Sequence, residues 1–153
     1  MKKFIYAYIL FALLLTVNAA PFQLNKRAIT FVTCDDTFPS TVLNVKIGSD
    51  HPESKKNESF EVSGKLTYEP IVKDITVLRI EYSANGNTLG DIYDQVFSYS
   101  VEPRTPFNIS ASDVPTPELP DSYMLYVYVG EYDRMEGFFY ESACALATVS
   151  GSS

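Results

Sequence analysis

The chain has 153 residues, is 46% hydrophobic and 14% aromatic without any Trp, and carries a formal net charge of −7. That length suits a single domain, and the hydrophobic fraction suffices for a packed core and excludes a disordered chain. Past residue 27 stand eight basic against nineteen acidic residues, a formal −11, which argues against nucleic acid as a partner and against strong adsorption to anionic membranes.

Lys2 and Lys3 precede an apolar run from Phe4 to Leu15, and Val17-Asn18-Ala19 supplies small residues after it. The run is short for a bilayer span, and the three parts together read as a signal peptide over residues 1–19. A retained anchor is the alternative. Lys26-Arg27 reads equally as the end of a short propeptide (20–27) or as an ordinary basic pair, and the folded domain is expected over 28–150. The destination is the extracellular space or the lumen of the vacuolar–endosomal pathway, since one signal serves both.

Cys34 and Cys144 are the only two cysteines. An even count in a secreted context favours a disulfide over two buried thiols. Such a bridge would close nearly the whole domain into one loop, which chain entropy rates at roughly 4–5 kcal/mol. Asp35-Asp36 reads as a turn. Leu43, Val45 and Ile47 alternate with polar residues, and Asp50 to Ser54 breaks the run. Phe60, Val62, Gly64, Leu66 and Tyr68 then alternate with polar neighbours, predicting a half-buried strand over 60–68.

Ile75 to Tyr82 is a further strand, and Asn85-Gly86 after it signals a hairpin. Ile92 to Val101 and Pro106 to Ala111 follow. Val114 to Asp121 holds three prolines and is expected to be a loop, neither helix nor central strand. Tyr123 to Tyr132 and Phe138 to Val149 complete about eight strands. The pattern predicts an all-β, immunoglobulin-like antiparallel sandwich. Asn57-Glu58-Ser59 and Asn108-Ile109-Ser110 are glycosylation sequons.

Several of these pieces in order resemble a known family: Phe31-Val32-Thr33-Cys34, Val62-Ser63-Gly64-Lys65-Leu66, Thr105-Pro106-Phe107, Val114-Pro115-Thr116-Pro117-Glu118-Leu119-Pro120-Asp121-Ser122-Tyr123, and Cys144-Ala145. Across residues 28–149 the chain is similar to the ML-domain lipid-recognition proteins, chiefly the fungal phosphatidylglycerol/phosphatidylinositol transfer type and the Niemann-Pick type C sterol carrier. The resemblance implies two splayed sheets with an apolar pocket between them, holding a sterol or a phospholipid acyl chain. It places the family's first-to-last disulfide on Cys34 and Cys144 and its pocket mouth on Val114, Pro115 and Leu119, with a further mouth aromatic falling loosely between Leu89 and Tyr93. The family's additional cysteine pairs are missing, and Tyr99-Ser100-Val101 stands where one of them ends.

Alternation alone nominates the remaining pocket candidates: Phe60, Val62, Leu66, Leu78, Ile80, Tyr82, Phe107, Ile109, Tyr123, Leu125 and Val127. Each also reads as an ordinary core residue. No catalytic constellation stands out. His51, the lone histidine, sits beside Pro52 in a polar loop, and Gly86 to Gly90 has nucleophile-elbow spacing but lies in a hairpin. Asp91 with Asp94, and Glu131, Asp133 and Glu136, read better as a solvated acidic edge than as calcium ligands or a carboxylate pair. The expectation is therefore a monomeric, non-enzymatic lipid carrier without cofactor or metal, touching membranes only briefly. The alternative is a secreted sandwich that binds a protein, through outward-facing Tyr126, Tyr128 and Tyr132.

Overall fold

The computed structural model describes residues 29–34, 41–133 and 135–150. The expected signal peptide, the 20–27 segment and the Asp35-Asp36 turn lie outside them. Eight strands follow one another: β1 (Val32–Thr33), β2 (Asn44–Ile47), β3 (Asn57–Gly64), β4 (Val77–Ala84), β5 (Asn87–Val96), β6 (Phe107–Pro115), β7 (Tyr123–Tyr132) and β8 (Phe139–Val149). They form a five-stranded sheet in the order β1-β8-β7-β4-β5 and a three-stranded sheet in the order β2-β3-β6, with every pairing antiparallel. There is no helix among the described residues. The chain is an all-β sandwich, as the sequence predicts.

Side-chain alternation builds the core between the sheets. Leu78, Ile80 and Tyr82 of β4 and Leu125, Val127 and Val129 of β7 are each at most 2% exposed, as are Phe60 and Val62 on the opposite sheet. Ala143, Ala145 and Ala147 give β8 a low inner profile, so the large side chains of the facing sheet find room. The predicted Asn85-Gly86 hairpin is present, with both residues at positive φ (52° and 76°), the left-handed pair that suits the twist of the flanking strands.

Three elements differ from the sequence reading, each for a local reason. β3 starts earlier and stops at Gly64; Leu66 still tucks into the core, but Tyr68 is 80% exposed, because the chain turns away toward Pro70. β5 covers Asn87–Val96 rather than 92–101, and Val101 makes only an isolated bridge to Ile71. β6 continues through Val114 and Pro115, where a loop is expected. β6 is an edge strand, so Pro115 costs no ladder bond on its open side. A bulge there sets Ser112 and Asp113 opposite Ser59 alone, with Asp113 at φ 58°, and this lets Ala111 and Val114 both turn inward.

The two lateral sides of the sandwich are closed differently. On one side, Ile29 N–H donates to the Asp50 carbonyl at 3.3 Å, β1 pairs with β8, and Cys34 is disulfide-bonded to Cys144 with Cα atoms 5.5 Å apart. The disulfide therefore fastens β1 to its neighbour β8 within the five-stranded sheet, and the Ile29–Asp50 backbone bond ties that edge to the connection after β2 on the other sheet. On the other side the edges of β5 and β6 face each other without a shared ladder.

Candidate functional site

Twelve of the fourteen nominated pocket residues converge on the interior. Phe60, Val62, Leu66, Leu78, Ile80, Tyr82, Phe107, Ile109, Val114, Tyr123, Leu125 and Val127 are all buried and belong to one apolar cluster. Leu119 is half-buried against it, whereas Pro115 is exposed and pairs with Asn57. Residues not singled out beforehand also belong: Phe97, Ile71 and Val129 are at most 2% exposed. Val129 was readable from the β7 alternation. Phe97 was not, because it follows a strand rather than sitting in one; its ring meets Phe107 edge-on at 5.7 Å.

The proline-rich segment after β6 closes one end of the interior. Thr116 exchanges backbone bonds with the β2–β3 connection, Lys55 N–H to Thr116 O at 3.0 Å and Thr116 N–H to Lys56 O at 2.9 Å. The Leu119 amide donates to Ser54 Oγ at 2.9 Å. The same segment meets the other sheet at Gly90, where any Cβ would come within 2.9 Å of the Pro117 side chain and φ is +65°. Inside this end, Tyr82 Oη and Thr116 Oγ1 share a hydrogen bond of 3.3 Å, and the Tyr82 and Tyr123 rings lie 6.1 Å apart. Burial pushes the Tyr82 phenol up to about 12, although its bond to Thr116 pulls the other way. A polar pair thus sits at the end of an otherwise apolar interior.

Along the β5–β6 side, side chains do what backbone does elsewhere. Tyr93 Oη donates to Gln95 Oε1 at 2.8 Å, and Gln95 Nε2 donates to the Ser110 carbonyl at 3.1 Å. Tyr99 Oη donates to the Asn108 carbonyl. Burial and the nearby Asp113 carboxylate raise the Tyr93 phenol above its ordinary value, which fits a ring set against β6. Each neutral hydrogen bond of this kind contributes about 0.5–1.5 kcal/mol net.

Two other surface features are distinct from the interior. A cleft of about 360 Å³ is lined by Gly48, Ser49, Glu53, Lys56, Asn57, Glu58, Ser59, Ser112 and Asp113. Its buried Glu58 accepts from Ser49 Oγ and from the Ser59 amide at 2.8 Å. With no aliphatic or aromatic residue in its lining, it does not suit a lipid tail. The outer face of the five-stranded sheet carries an aromatic strip. Tyr126 and Tyr128 stack at 5.6 Å, Phe139 meets Tyr128 and Tyr132 edge-on, and the Arg79 guanidinium lies 4.2 Å from the Phe139 ring centroid. Arg79 forks onto Asp94 with two bonds of 2.9 Å. Past this strip the β7–β8 hairpin exposes Met135 (94%), Phe138 (63%) and Tyr140 (59%).

The acidic residues have local partners. Asp94 holds Arg79, Glu131 accepts from Thr76 at 2.9 Å, and Asp133 caps the amides of Met135 and Glu136. No group of three or more His, Cys, Asp or Glu side chains that could hold a metal occurs among the described residues. His51 Nδ1 is buried without a hydrogen-bond partner. Asn57 and Asn108 are exposed. No protein-family model matches this chain, and no curated protein matches it.

Proposed function

We propose that the protein is a secreted carrier that holds a sterol or a phospholipid acyl chain between its two sheets. One observation carries this reading. The apolar side chains of both sheets meet in a single interior that, on the β5–β6 side, is closed by side chains rather than by a backbone ladder. A sandwich closed in this way has a side that can part without breaking strand pairing. The Cys34–Cys144 disulfide fits an oxidising compartment, and the resemblance of residues 28–149 to ML-domain proteins points to the same ligand class.

The energetics are adequate without charged contacts. Burying roughly 500 Å² of lipid tail at about 25 cal/mol per Å² yields on the order of 12 kcal/mol gross. Association costs of about 4–15 kcal/mol remove much of it. An apolar interior separates similar tails poorly, so discrimination among ligands falls to polar groups at its margins, of which the Tyr82–Thr116 pair is one.

The test is mass spectrometry of protein secreted by a eukaryotic host and purified without detergent, native against denaturing, followed by solvent extraction. The expected result is about one lipid per chain. Leu119→Asp, at a half-buried position, should then empty the protein while its thermal midpoint stays near that of the parent. Absence of bound lipid, together with no uptake of sterol or phospholipid by the folded protein, would sink the carrier reading.

A second reading has its own observation. The outer aromatic strip, with Tyr132 40% exposed and Phe138 and Tyr140 beyond it, has the ring-rich composition of protein-binding surfaces. It favours a secreted interaction module in which lipid is incidental. A partner that co-purifies with lipid-free protein would move the weight to this reading.

A further inference from the structure

We infer that the β5–β6 seam is the ligand's entry, and that the Tyr93–Gln95–Ser110 bridge and the Tyr99–Asn108 bond form a latch that holds it shut. The inference rests on the carrier reading and adds where the interior opens and which side chains control the opening.

The sandwich has four margins, and three are tied by backbone or by packed rings. On the β1–β2 side the Ile29 amide bonds to the Asp50 carbonyl of the other sheet's β2–β3 connection, and the Cys34–Cys144 bond anchors β1 to β8. One end is covered by the proline-rich segment, whose backbone bonds to the β2–β3 connection while Pro117 abuts Gly90. The other end is filled by Phe97 packed on Phe107, with the Ile71–Val101 bridge beside it. Along the β5–β6 side, by contrast, no backbone bond among the described residues joins the sheets, and side-chain hydrogen bonds to β6 carbonyls span the gap. Opening there requires no strand pair to break, so the opposite side acts as the hinge.

The chemistry of the seam supports a latch that can reopen. The carbonyls of Asn108 and Ser110 point away from β3, because alternate residues of an edge strand turn their backbone groups outward. They need partners, and water can replace Gln95 and Tyr99, since Ser110 and Asn108 are exposed. Opening the latch therefore strands no buried polar group. Gln95 is also oriented unambiguously: its oxygen accepts from Tyr93 while its nitrogen donates to Ser110. On β5, Tyr93 is in register with Ile80 and Gln95 with Leu78, both of them core residues. The latch thus stands at the boundary of the apolar interior. A simpler role, the blunting of two open strand edges, predicts no effect on ligand exchange, which separates the two.

The experiment uses the full secreted protein and the variants Gln95→Leu, Tyr99→Phe and their combination. Two readouts are taken. The first is the rate at which a fluorescent sterol or fluorescent phosphatidylcholine enters and leaves. The second is the distance distribution between spin labels on Val96→Cys and Asn108→Cys, two exposed positions that flank the seam, measured on lipid-free protein. The double variant should exchange lipid about five- to tenfold faster at unchanged final stoichiometry, as expected when hydrogen bonds of ordinary strength are removed, and its label distances should lengthen and broaden. Unchanged rates in a wild type that does carry lipid would overturn the latch and leave the carrier reading standing. If the wild type takes up neither probe, the carrier reading fails and the entry role falls with it. The label distances then decide only whether the seam is the side that opens, and an unaltered distribution would overturn that too.

Discussion

The two faces of the five-stranded sheet come from the same strands but differ in chemistry. On β7, Tyr123, Leu125, Val127 and Val129 point inward and are buried, whereas Met124, Tyr126 and Tyr128 point outward and are half-buried. The inner face is nearly all aliphatic and is covered by a second sheet. The outer face is ringed by aromatics, carries Arg79 and Asp94, and among the described residues is covered by its own side chains. Strand alternation assigns each face its own environment, so one strand serves both the lipid-carrier and the protein-binding readings. Which face does the work is open to mutation, because changes on either leave the other in place.

The largest effect is expected from the inner face. Leu125→Ala removes a side chain with no solvent exposure from the centre of the sandwich, and should destabilise the protein by about 2–5 kcal/mol. Chemical denaturation at constant ionic strength checks it. A cost under about 1 kcal/mol would mean that the interior is loosely packed around this position, and would blur the contrast between the faces.

Next comes the alkaline limit. Burial raises Tyr82 from 10.0 to about 12 on the inner face and raises Tyr128 on the outer face as well. A phenol whose folded value lies above its unfolded value stays protonated longer in the fold. Its contribution is therefore complete below about pH 10 and is lost as pH rises toward 12. For Tyr82 the loss amounts to about 3 kcal/mol at most. Tyr82→Phe should flatten part of the stability decline between pH 10 and 12. An unchanged slope would mean that Tyr82 is not the titrating group and would leave the other raised phenols, Tyr93, Tyr123 and Tyr128.

The sequence carried the architecture because period-two alternation survives wherever strands are regular. The bounds of β7, Tyr123–Tyr132, and the Asn85-Gly86 turn follow from the residues directly. Legibility failed where geometry breaks the period. In β5 the register jumps between Tyr93 and Leu89 opposite Ile80 and Tyr82, with Gly90 at positive φ, and the pattern there reads as mixed. In β6 the Asp113 bulge shifts the inward set by one residue. The interior was legible as apolar, and burial does not distinguish a core residue from a pocket residue. The seam was not legible, because Gln95 and Tyr99 bond to backbone carbonyls, which carry no residue signature.

The smallest effect on stability is expected at the exposed tip of the outer face. Phe138→Ser and Tyr140→Ser remove side chains that are 63% and 59% exposed, so each should change stability by no more than about 0.5 kcal/mol. If the faces act independently, the lipid content per chain also stays as in the parent, and only a protein partner would be lost. The measurement pairs a thermal melt with the native mass-spectrometric lipid ratio. A lower lipid ratio at an unchanged melting midpoint would break the division between the faces. The tip would then contribute to loading by touching the membrane that supplies the ligand, as aromatic side chains at a water–bilayer boundary do. The outer rings would in that case serve the carrier rather than a second function.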